Sequence, residues 1–216
     1  MLDLSFISRF HFNFFYIYCV LISSTVSVQH KTIVAFTILV ISFPVHHAQG
    51  ICVIAFVCSN YDFKNTPIDG HTQSSTIIQK GEVKVGVFGV GVEMKGLVPD
   101  IKYGESVYND PIDIANDRAA ELKRQGCDLV ICLSHLGYEY KSDKVSDKVL
   151  AQKTKNIHLI IGGHTHTFLE KPTEEKNLIG ETVLINQVGW AGINVGRIDF
   201  EFDQKIFAKR DVIIVE

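Results

Sequence analysis

Two short apolar runs that each lead into histidine constrain the fold of this chain more than any other feature. Residues 128–133 lead to His135, and residues 157–161 lead through two glycines to His164 and His166. Short apolar runs of this kind are typical of strands that a sheet buries on both faces. Each run follows a segment with helical spacing, so the sequence predicts parallel strands joined by crossover helices.

The two predicted helices have recognisable boundaries. Asp110 is a typical N-cap residue, Pro111 suits the first helical position, and Gly126 suits the end of the first helix. A second helix is predicted from about residue 143 to residue 154. The apolar face of the first helix consists of residues at helical spacing, namely Ile112, Ala115, Ala119 and Leu122.

Further strands are predicted on both sides of this core unit. Residues 51–58 and 83–90 precede the first helix, and residues 183–188 and 193–202 follow the second histidine-ended strand. In the last segment apolar and polar residues mostly alternate, which predicts one solvated face. The predicted fold class is α/β, with parallel strands and crossover helices followed by antiparallel strands.

Charged residues are distributed very unevenly along the chain. Residues 1–61 contain only Asp3, Arg9 and Lys31, whereas the whole sequence has 21 basic and 24 acidic residues. Residues 10–30 carry no fixed charge, and residues 33–45 form a second apolar run. The sequence therefore predicts two regions: a hydrophobic leader of uncertain status at residues 1–50 and a domain at residues 51–216.

Three interpretations of the leader remain open. An apolar stretch behind a single positive charge is typical of an export signal or a membrane anchor. Its binary pattern fits neither helix nor strand cleanly, which favours a segment that is not the natural start of this domain. The third interpretation is a native core segment. The first one predicts an exported, periplasmic or membrane-associated protein with membrane contact through residues 10–46.

The composition of the chain excludes several other classes of function. The net charge is -3 and no long basic run occurs, so nothing favours a nucleic-acid partner. The five cysteines include no C-x-x-C pair, which argues against a thiolate zinc site or a dense disulfide framework. Cys127 and Cys132 lie in or beside an apolar run and are predicted to be core thiols.

The histidines at the predicted strand ends are candidate metal ligands. Ligands bind beyond the carboxyl ends of parallel strands, so His135, His164 and His166 are expected at one edge of the sheet. In an extended chain residues i and i+2 point the same way, which would aim both histidines of the H-x-H pair at one site. Neutral imidazole suits zinc, manganese or iron. Either motif alone also fits a structural histidine, and the combination favours a metal site.

Two motifs carry a resemblance to a known family. The segments 133–137 (Leu-Ser-His-Leu-Gly) and 163–166 (Gly-His-Thr-His) resemble metal-binding motifs of the calcineurin-like metallophosphoesterases, in their 5'-nucleotidase branch. The similarity extends over roughly residues 51–203. It implies an αββα-type sandwich, a divalent metal cofactor, and a nucleotide or other phosphomonoester as substrate. By the same resemblance, His135, His164 and His166 match metal ligands.

The sequence also departs from the pattern of that family. The resemblance implies an Asp-x-His, a Gly-Asp pair and a Gly-Asn-His-Glu earlier in the chain, and none of them occurs. The resemblance is therefore to the C-terminal half of the catalytic domain, and no catalytic residue can be assigned. Asn60, in a segment that resembles the one after the family's Asn-His motif, is predicted to be structural.

These departures limit the expected activity. Three neutral imidazoles leave the charge of two divalent ions uncompensated, so we expect at most one weakly held metal and low phosphatase activity. Two alternatives remain: a non-catalytic, membrane-tethered or secreted remnant that binds a metal or a partner, and a partial gene product that does not fold stably. Tyr138 and Tyr140, close to the predicted metal edge, are expected to pack or to be exposed rather than to bind a ligand.

Overall fold

The computed structural model describes the backbone of residues 3–12, 15–28, 31–35, 38–41, 53–191, 194–203 and 206–215. Side chains are described for residues 56–79 and 81–191, and beyond them for residues 194, 196, 198, 200 and 202. The helices are α1 (Asp100–Tyr103), α2 (Pro111–Arg124) and α3 (Asp147–Lys153). The strands are β1 (Asp3–Phe12), β2 (Phe15–Val28), β3 (Lys31–Ala35), β4 (Ile38–Ile41), β5 (Val53–Phe56), β6 (Tyr61–Asp62), β7 (Ser75–Lys80), β8 (Val83–Gly91), β9 (Val107–Tyr108), β10 (Leu129–His135), β11 (Leu159–Ile161), β12 (Thr173–Lys176), β13 (Thr182–Asn186), β14 (Val195–Asp203) and β15 (Ile206–Val215).

A six-stranded sheet with the order β12-β13-β11-β10-β8-β7 forms the centre of the fold. Strands β8, β10, β11 and β13 are parallel, as the strand–helix order predicts, which confirms the α/β class. The two edge strands, β7 and β12, run antiparallel to their neighbours. Strand β13 also belongs to the parallel set, and the next strand along the chain, β14, pairs antiparallel with β15.

Both faces of this sheet are covered, which explains why its central strands are continuously apolar. On one face α2 and α3 pack over a cluster that includes Phe88, Leu122, Leu150 and Ile160. On the other face Ile198 and Phe200 of β14 pack on Leu133, Ile161 and other side chains of the opposite cluster. The histidine-bearing strands β10 and β11 therefore lie in the middle of a layered structure. Cys127 and Cys132 are buried, as predicted.

Helix α2 begins and ends where its sequence signals indicate. The side chain of Asp110 accepts hydrogen bonds from the backbone nitrogens of Ile112, at 2.7 Å, and Asp113, at 3.2 Å. Gly126, just after the helix, has a φ of 82°, a left-handed conformation that a side chain would disfavour. The predicted apolar face is also confirmed, because Ala115, Ala119 and Leu122 are buried.

Removing the α2 cap is expected to weaken the whole domain. Asp110→Ala would leave two backbone N–H groups without their side-chain acceptor, and we expect the free energy of unfolding to fall by about 1 kcal/mol. Urea unfolding followed by far-UV circular dichroism measures this change. Asp117→Ala, on the exposed side of the same helix, is the matched control and should change stability by less than about 0.5 kcal/mol. Equal losses in the two variants would contradict the capping role.

Two predicted elements differ from the observed ones. The second helix, predicted from about residue 143, begins at Asp147, because Ser146 caps it by accepting from the backbone nitrogen of Val149 at 3.3 Å. The predicted strand at residues 51–58 is observed as β5, which pairs antiparallel with β4. Its side chains lie mostly outside the described residues, and the predicted burial on both faces cannot be compared there.

All side chains of the predicted leader, residues 1–50, lie outside the described ones. Its described backbone consists of strands β1 to β4, and β1 and β14 pair in a five-stranded sheet with the order β15-β14-β1-β2-β3. Within the described part of the chain, no helix has the length and apolar character needed to cross a membrane. Residues 42–50, which contain the end of the second apolar run, are outside the described residues.

Candidate functional site

His135 is the last residue of β10 and lies at the carboxyl edge of the parallel strands. It is in register with Gly91 of β8 on one side. On the other side, a Cβ atom added to Gly163 would lie 3.1 Å from His135 Nδ1. The glycine thus lets the chain that follows β11 pass directly beside the imidazole ring, which explains the Gly-Gly pair before His164 in terms of close packing.

The H-x-H segment does not have the extended backbone on which the sequence argument relied. His164 has a φ of 72° and His166 a φ of 54°, both in the left-handed region. This region is uncommon for residues with a side chain, although histidine enters it more often than most. The premise of an extended strand at this point is therefore wrong, because the chain has already left the sheet and turned.

The three imidazoles have two different environments. The rings of His135 and His164 meet edge to face, with centroids 5.1 Å apart. The ring of His166 is stacked on the indole of Trp190, with centroids 5.9 Å apart and an interplanar angle of 15°. The structure thus brings His135 and His164 together as a direct pair, while His166 lies on the exposed side of the same loop.

The electrostatics of this pair favour neutral imidazoles. Burial, with smaller contributions from His164 and His166, lowers the pKa of His135 to about 3. Burial also lowers the pKa of His164, and the electrostatic effects of the neighbouring Lys144 and His166 act in the same direction. Both rings are therefore uncharged at neutral pH, which is the form that can donate a lone pair to a metal ion.

The buried side chain of Gln187 fixes the conformation of the H-x-H loop. Its Nε2 donates to the carbonyl of Gly163 at 2.8 Å. Its Oε1 accepts from the Thr165 hydroxyl at 3.1 Å and from the backbone nitrogen of Thr167. One fully buried side chain makes all these contacts. The left-handed backbone of the loop is therefore stabilised by tertiary hydrogen bonds and not by the intrinsic backbone preferences of its residues.

A second buried polar group, Asp147, lies between the two histidine-bearing segments. The hydroxyl of Ser134 donates to Asp147 Oδ1 and accepts from the backbone nitrogen of Leu136 at 3.2 Å. Within the described residues, Asp147 Oδ2 is buried and has no hydrogen-bond partner. Burial raises the pKa of this carboxyl to about 8, while the hydrogen bond from Ser134 acts in the opposite direction. The carboxyl is therefore mainly protonated at neutral pH.

The donor set of the site fits part of the coordination sphere of one divalent ion. His135 and His164 supply two neutral nitrogens on facing rings. Among the described residues, however, no group of three or more histidine, cysteine, aspartate or glutamate side chains is arranged to hold a metal ion. The three-histidine ligand set therefore stays a prediction.

The other residues that the sequence singled out have roles within the fold. Asn60 is fully buried, and its amide exchanges two hydrogen bonds of 2.9 Å with the backbone of Gly91. The hydroxyl of Tyr140 donates to the carbonyl of Leu136 at 2.6 Å, and that of Tyr138 lies 2.7 Å from Thr173 Oγ1. These contacts agree with the structural interpretation of Asn60 and with the packing expected for both tyrosines.

Sequence reasoning missed several residues around the site. Asp147 and Gln187 belong to no motif, and their partners are 13 to 24 positions away in the chain. Asn186 is buried at the carboxyl end of β13, and both polar atoms of its amide have no partner within the described residues. The one available signal was a cluster of polar residues directly after an apolar strand, at residues 186–187.

Comparisons with known proteins place this geometry in a family context. The chain is 33% identical over 130 residues to the trifunctional nucleotide phosphoesterase protein YfkN of Bacillus subtilis, covering 59% of this chain and 8% of that protein. It is 29% identical over 167 residues to a 5'-nucleotidase-related protein of Glossina morsitans morsitans, covering 69% of this chain and 28% of that protein. The chain thus spans less than a third of the length of these relatives.

A solved structure and a family model agree with this result. The crystal structure of the 5'-nucleotidase precursor from Thermus thermophilus superposes on 74% of this chain and 33% of its own, with a TM-score of 0.63 and 26% identity. The model of the calcineurin-like phosphoesterase family matches residues 57–168, about half of the chain. This range contains both histidine-bearing strand ends and the helices that support them. The chain therefore belongs to the calcineurin-like phosphoesterase family.

Proposed function

We propose that the chain contributes to metal-dependent hydrolysis of phosphomonoesters, with nucleotides as the substrate class. The observation that carries this proposal is the pair of neutral imidazoles, His135 and His164, at the carboxyl edge of the sheet and inside the family range. The relatives, a nucleotide phosphoesterase and 5'-nucleotidases, favour nucleotides over other phosphate esters. No nucleic-acid partner is proposed.

The roles of the individual residues follow from their surroundings. His135 and His164 would hold one divalent ion (zinc, manganese or iron), and His166 is proposed as a third ligand from the exposed side of the loop. When bound, such an ion would polarise a phosphoryl oxygen of the substrate and lower the pKa of a water molecule bound to it. Ser134 and Gln187 keep the histidine-bearing backbone in place. We expect weak binding and low activity, since the described residues add no carboxylate to the donor set.

The proposal concerns the residues of this chain alone. The chain spans 8% and 28% of the two relatives named above, so the activity of a whole relative is not transferred to it. We propose residues 51–216 as the phosphoesterase part and residues 1–50 as a separate hydrophobic segment. Export or membrane association through residues 10–46 remains a proposal based on hydropathy alone.

Trp190 offers a direct test of metal binding, because it is the only tryptophan and is stacked on His166. Zinc or manganese added to the purified chain should change its fluorescence in a saturable way, with one weak site per chain. Phosphate release from AMP should depend on the same metal. His164→Ala should abolish both signals because it removes half of the facing pair.

The control for this experiment is His71→Ala, an exposed histidine in the loop that precedes β7. This variant should bind metal and release phosphate as the unchanged chain does. Two tight sites per chain would show that the weak, single-ion proposal is wrong. Metal-dependent phosphate release that survives in His164→Ala would show that the activity comes from elsewhere.

A second candidate function is binding without turnover. The described residues assemble no group of three or more metal-ligating side chains. This observation favours a domain that binds a metal or a partner and does not hydrolyse phosphomonoesters. In the same experiment this candidate gives a saturable change of Trp190 fluorescence but no phosphate from AMP. The two measurements therefore separate the candidates, provided that they are made on one preparation.

A further inference from the structure

Asp147 lies where a helix meets both histidine-bearing strand ends. It is the first residue of α3, its side chain is fully buried, and its backbone nitrogen donates to the carbonyl of Gly137 at 2.7 Å. An aspartate in the first turn of a helix normally interacts with the positive helix end while exposed to water. Burial of this carboxyl therefore needs a reason other than helix stability.

The contacts of Asp147 reach both halves of the candidate site. On one side, Oδ1 accepts from Ser134, the residue directly before His135. On the other side, Oδ2 lies so close to Gly162 that a Cβ atom there would overlap it. Gly162 lies two residues before His164. One carboxyl group thus fills the space between the ends of β10 and β11.

We propose that Asp147 is a positioning residue that sets the spacing of these two strand ends, so that His135 and His164 face each other. It acts through Ser134 and Gly162 and takes no part in the chemistry. The inference rests on the proposed function for its biological meaning. The structural part of the inference is the edge-to-face contact of the two rings, whose centroids are 5.1 Å apart. This contact can be tested without metal and without substrate.

The mechanism of positioning is steric as well as polar. The Ser134 Oγ accepts from the Leu136 nitrogen at 3.2 Å, which fixes the hydroxyl at the end of β10. Ser134 can therefore donate to Asp147 only while β10 stays next to α3. Gly162 can approach only because it has no side chain. Loss of the carboxyl would leave an empty space beside both strand ends, and packed neighbours shift into such a space.

Three variants separate the steric role of the Asp147 side chain from the effect of its negative charge. Asp147→Ala removes the group, Ser134→Ala removes only its donor, and Asp147→Asn keeps the shape of the protonated carboxyl. Asp143→Ala is the matched control, an exposed aspartate that precedes the same helix. Urea unfolding of each variant shows which of them remain folded, and only folded variants are compared.

The first measurement is the contact between the two rings in the metal-free chain. With isotopically labelled histidine, nuclear Overhauser effects between the His135 and His164 ring protons should be present in the unchanged chain, Asp143→Ala and Asp147→Asn. They should be lost or much weaker in Asp147→Ala, and reduced in Ser134→Ala. An unaltered ring contact in folded Asp147→Ala would overturn the proposal.

The second measurement is zinc affinity, read from Trp190 fluorescence. Asp147→Ala should weaken binding by about 10-fold, at the low end of the losses that follow removal of a residue that supports a metal ligand, because Asp147 acts through its neighbours in the chain. Asp147→Asn should stay within about threefold of the unchanged chain. A loss in Asp147→Asn as large as in Asp147→Ala would overturn the steric role. If the unchanged chain binds no zinc, the proposed function fails, while the ring contact still decides the role of Asp147.

Discussion

Gly162→Ala is expected to lower the free energy of unfolding by about 3 kcal/mol, because its methyl group would overlap the buried carboxyl of Asp147. The same methyl group would lie 3.0 Å from Gln187 Nε2, so a movement of the backbone away from Asp147 would bring it against a second fixed side chain. Asp147 cannot move away freely, since it is fully buried and accepts from Ser134. Urea unfolding followed by far-UV circular dichroism measures the loss.

A double-mutant cycle tests the cause of this loss. In an Asp147→Ala background the overlapping atom is absent, so Gly162→Ala should cost about 2 kcal/mol less than in the unchanged chain. Gly163→Ala is the neighbouring comparison: its methyl group would meet His135 Nδ1 at 3.1 Å, and a ring edge can give way more readily than two packed side chains. Equal costs of Gly162→Ala in both backgrounds would contradict the contact with Asp147.

The parts of the fold that local signals determine were predictable from the sequence. Helix α2 begins at Pro111 behind the Asp110 cap and ends before Gly126, because capping depends on residues a few positions apart. The parallel strands β10 and β11 follow from apolar runs separated by a helix. The pairing of His135 with the segment around His164 then follows from the rule that parallel strands present their carboxyl ends at one edge.

The residues that shape the site were not predictable in this way. Gln187 and Gly163 are 24 positions apart, and no short pattern encodes a contact over that distance. The left-handed backbone of His164 and His166 is imposed by those tertiary contacts, because neither residue prefers it. The later start of α3 is local in origin, because Ser146 caps it, whereas the burial of Asp147 depends on contacts with distant segments.

Gln187→Leu should destabilise the domain and disorganise the H-x-H loop at the same time. Leucine has a similar size, but it can neither donate to the Gly163 carbonyl nor accept from the Thr167 nitrogen and the Thr165 hydroxyl. Each buried group left without a partner costs about 1–3 kcal/mol, so we expect a total loss of about 3 kcal/mol in the free energy of unfolding. Urea unfolding measures this loss.

The effect on the site distinguishes Gln187 from an ordinary core residue. Without this side chain the loop loses three of the hydrogen bonds that hold its left-handed turn, so Trp190 should lose its stacking on His166 and its fluorescence should lose sensitivity to zinc. Gln152→Leu, which removes one exposed hydrogen bond to Glu175, is the matched control and should change stability by less than about 0.5 kcal/mol.

A milder change keeps the prediction testable if Gln187→Leu does not fold. Thr165→Val removes a hydroxyl that accepts from the Tyr138 nitrogen at 2.9 Å and lies 3.1 Å from Gln187 Oε1. It should cost about 1–2 kcal/mol and weaken zinc binding less than Gln187→Leu does, because two of the three contacts of Gln187 remain. If both variants bind zinc as the unchanged chain does, Gln187 is a packing residue, and the geometry of the metal edge is set by β10 and β11 alone.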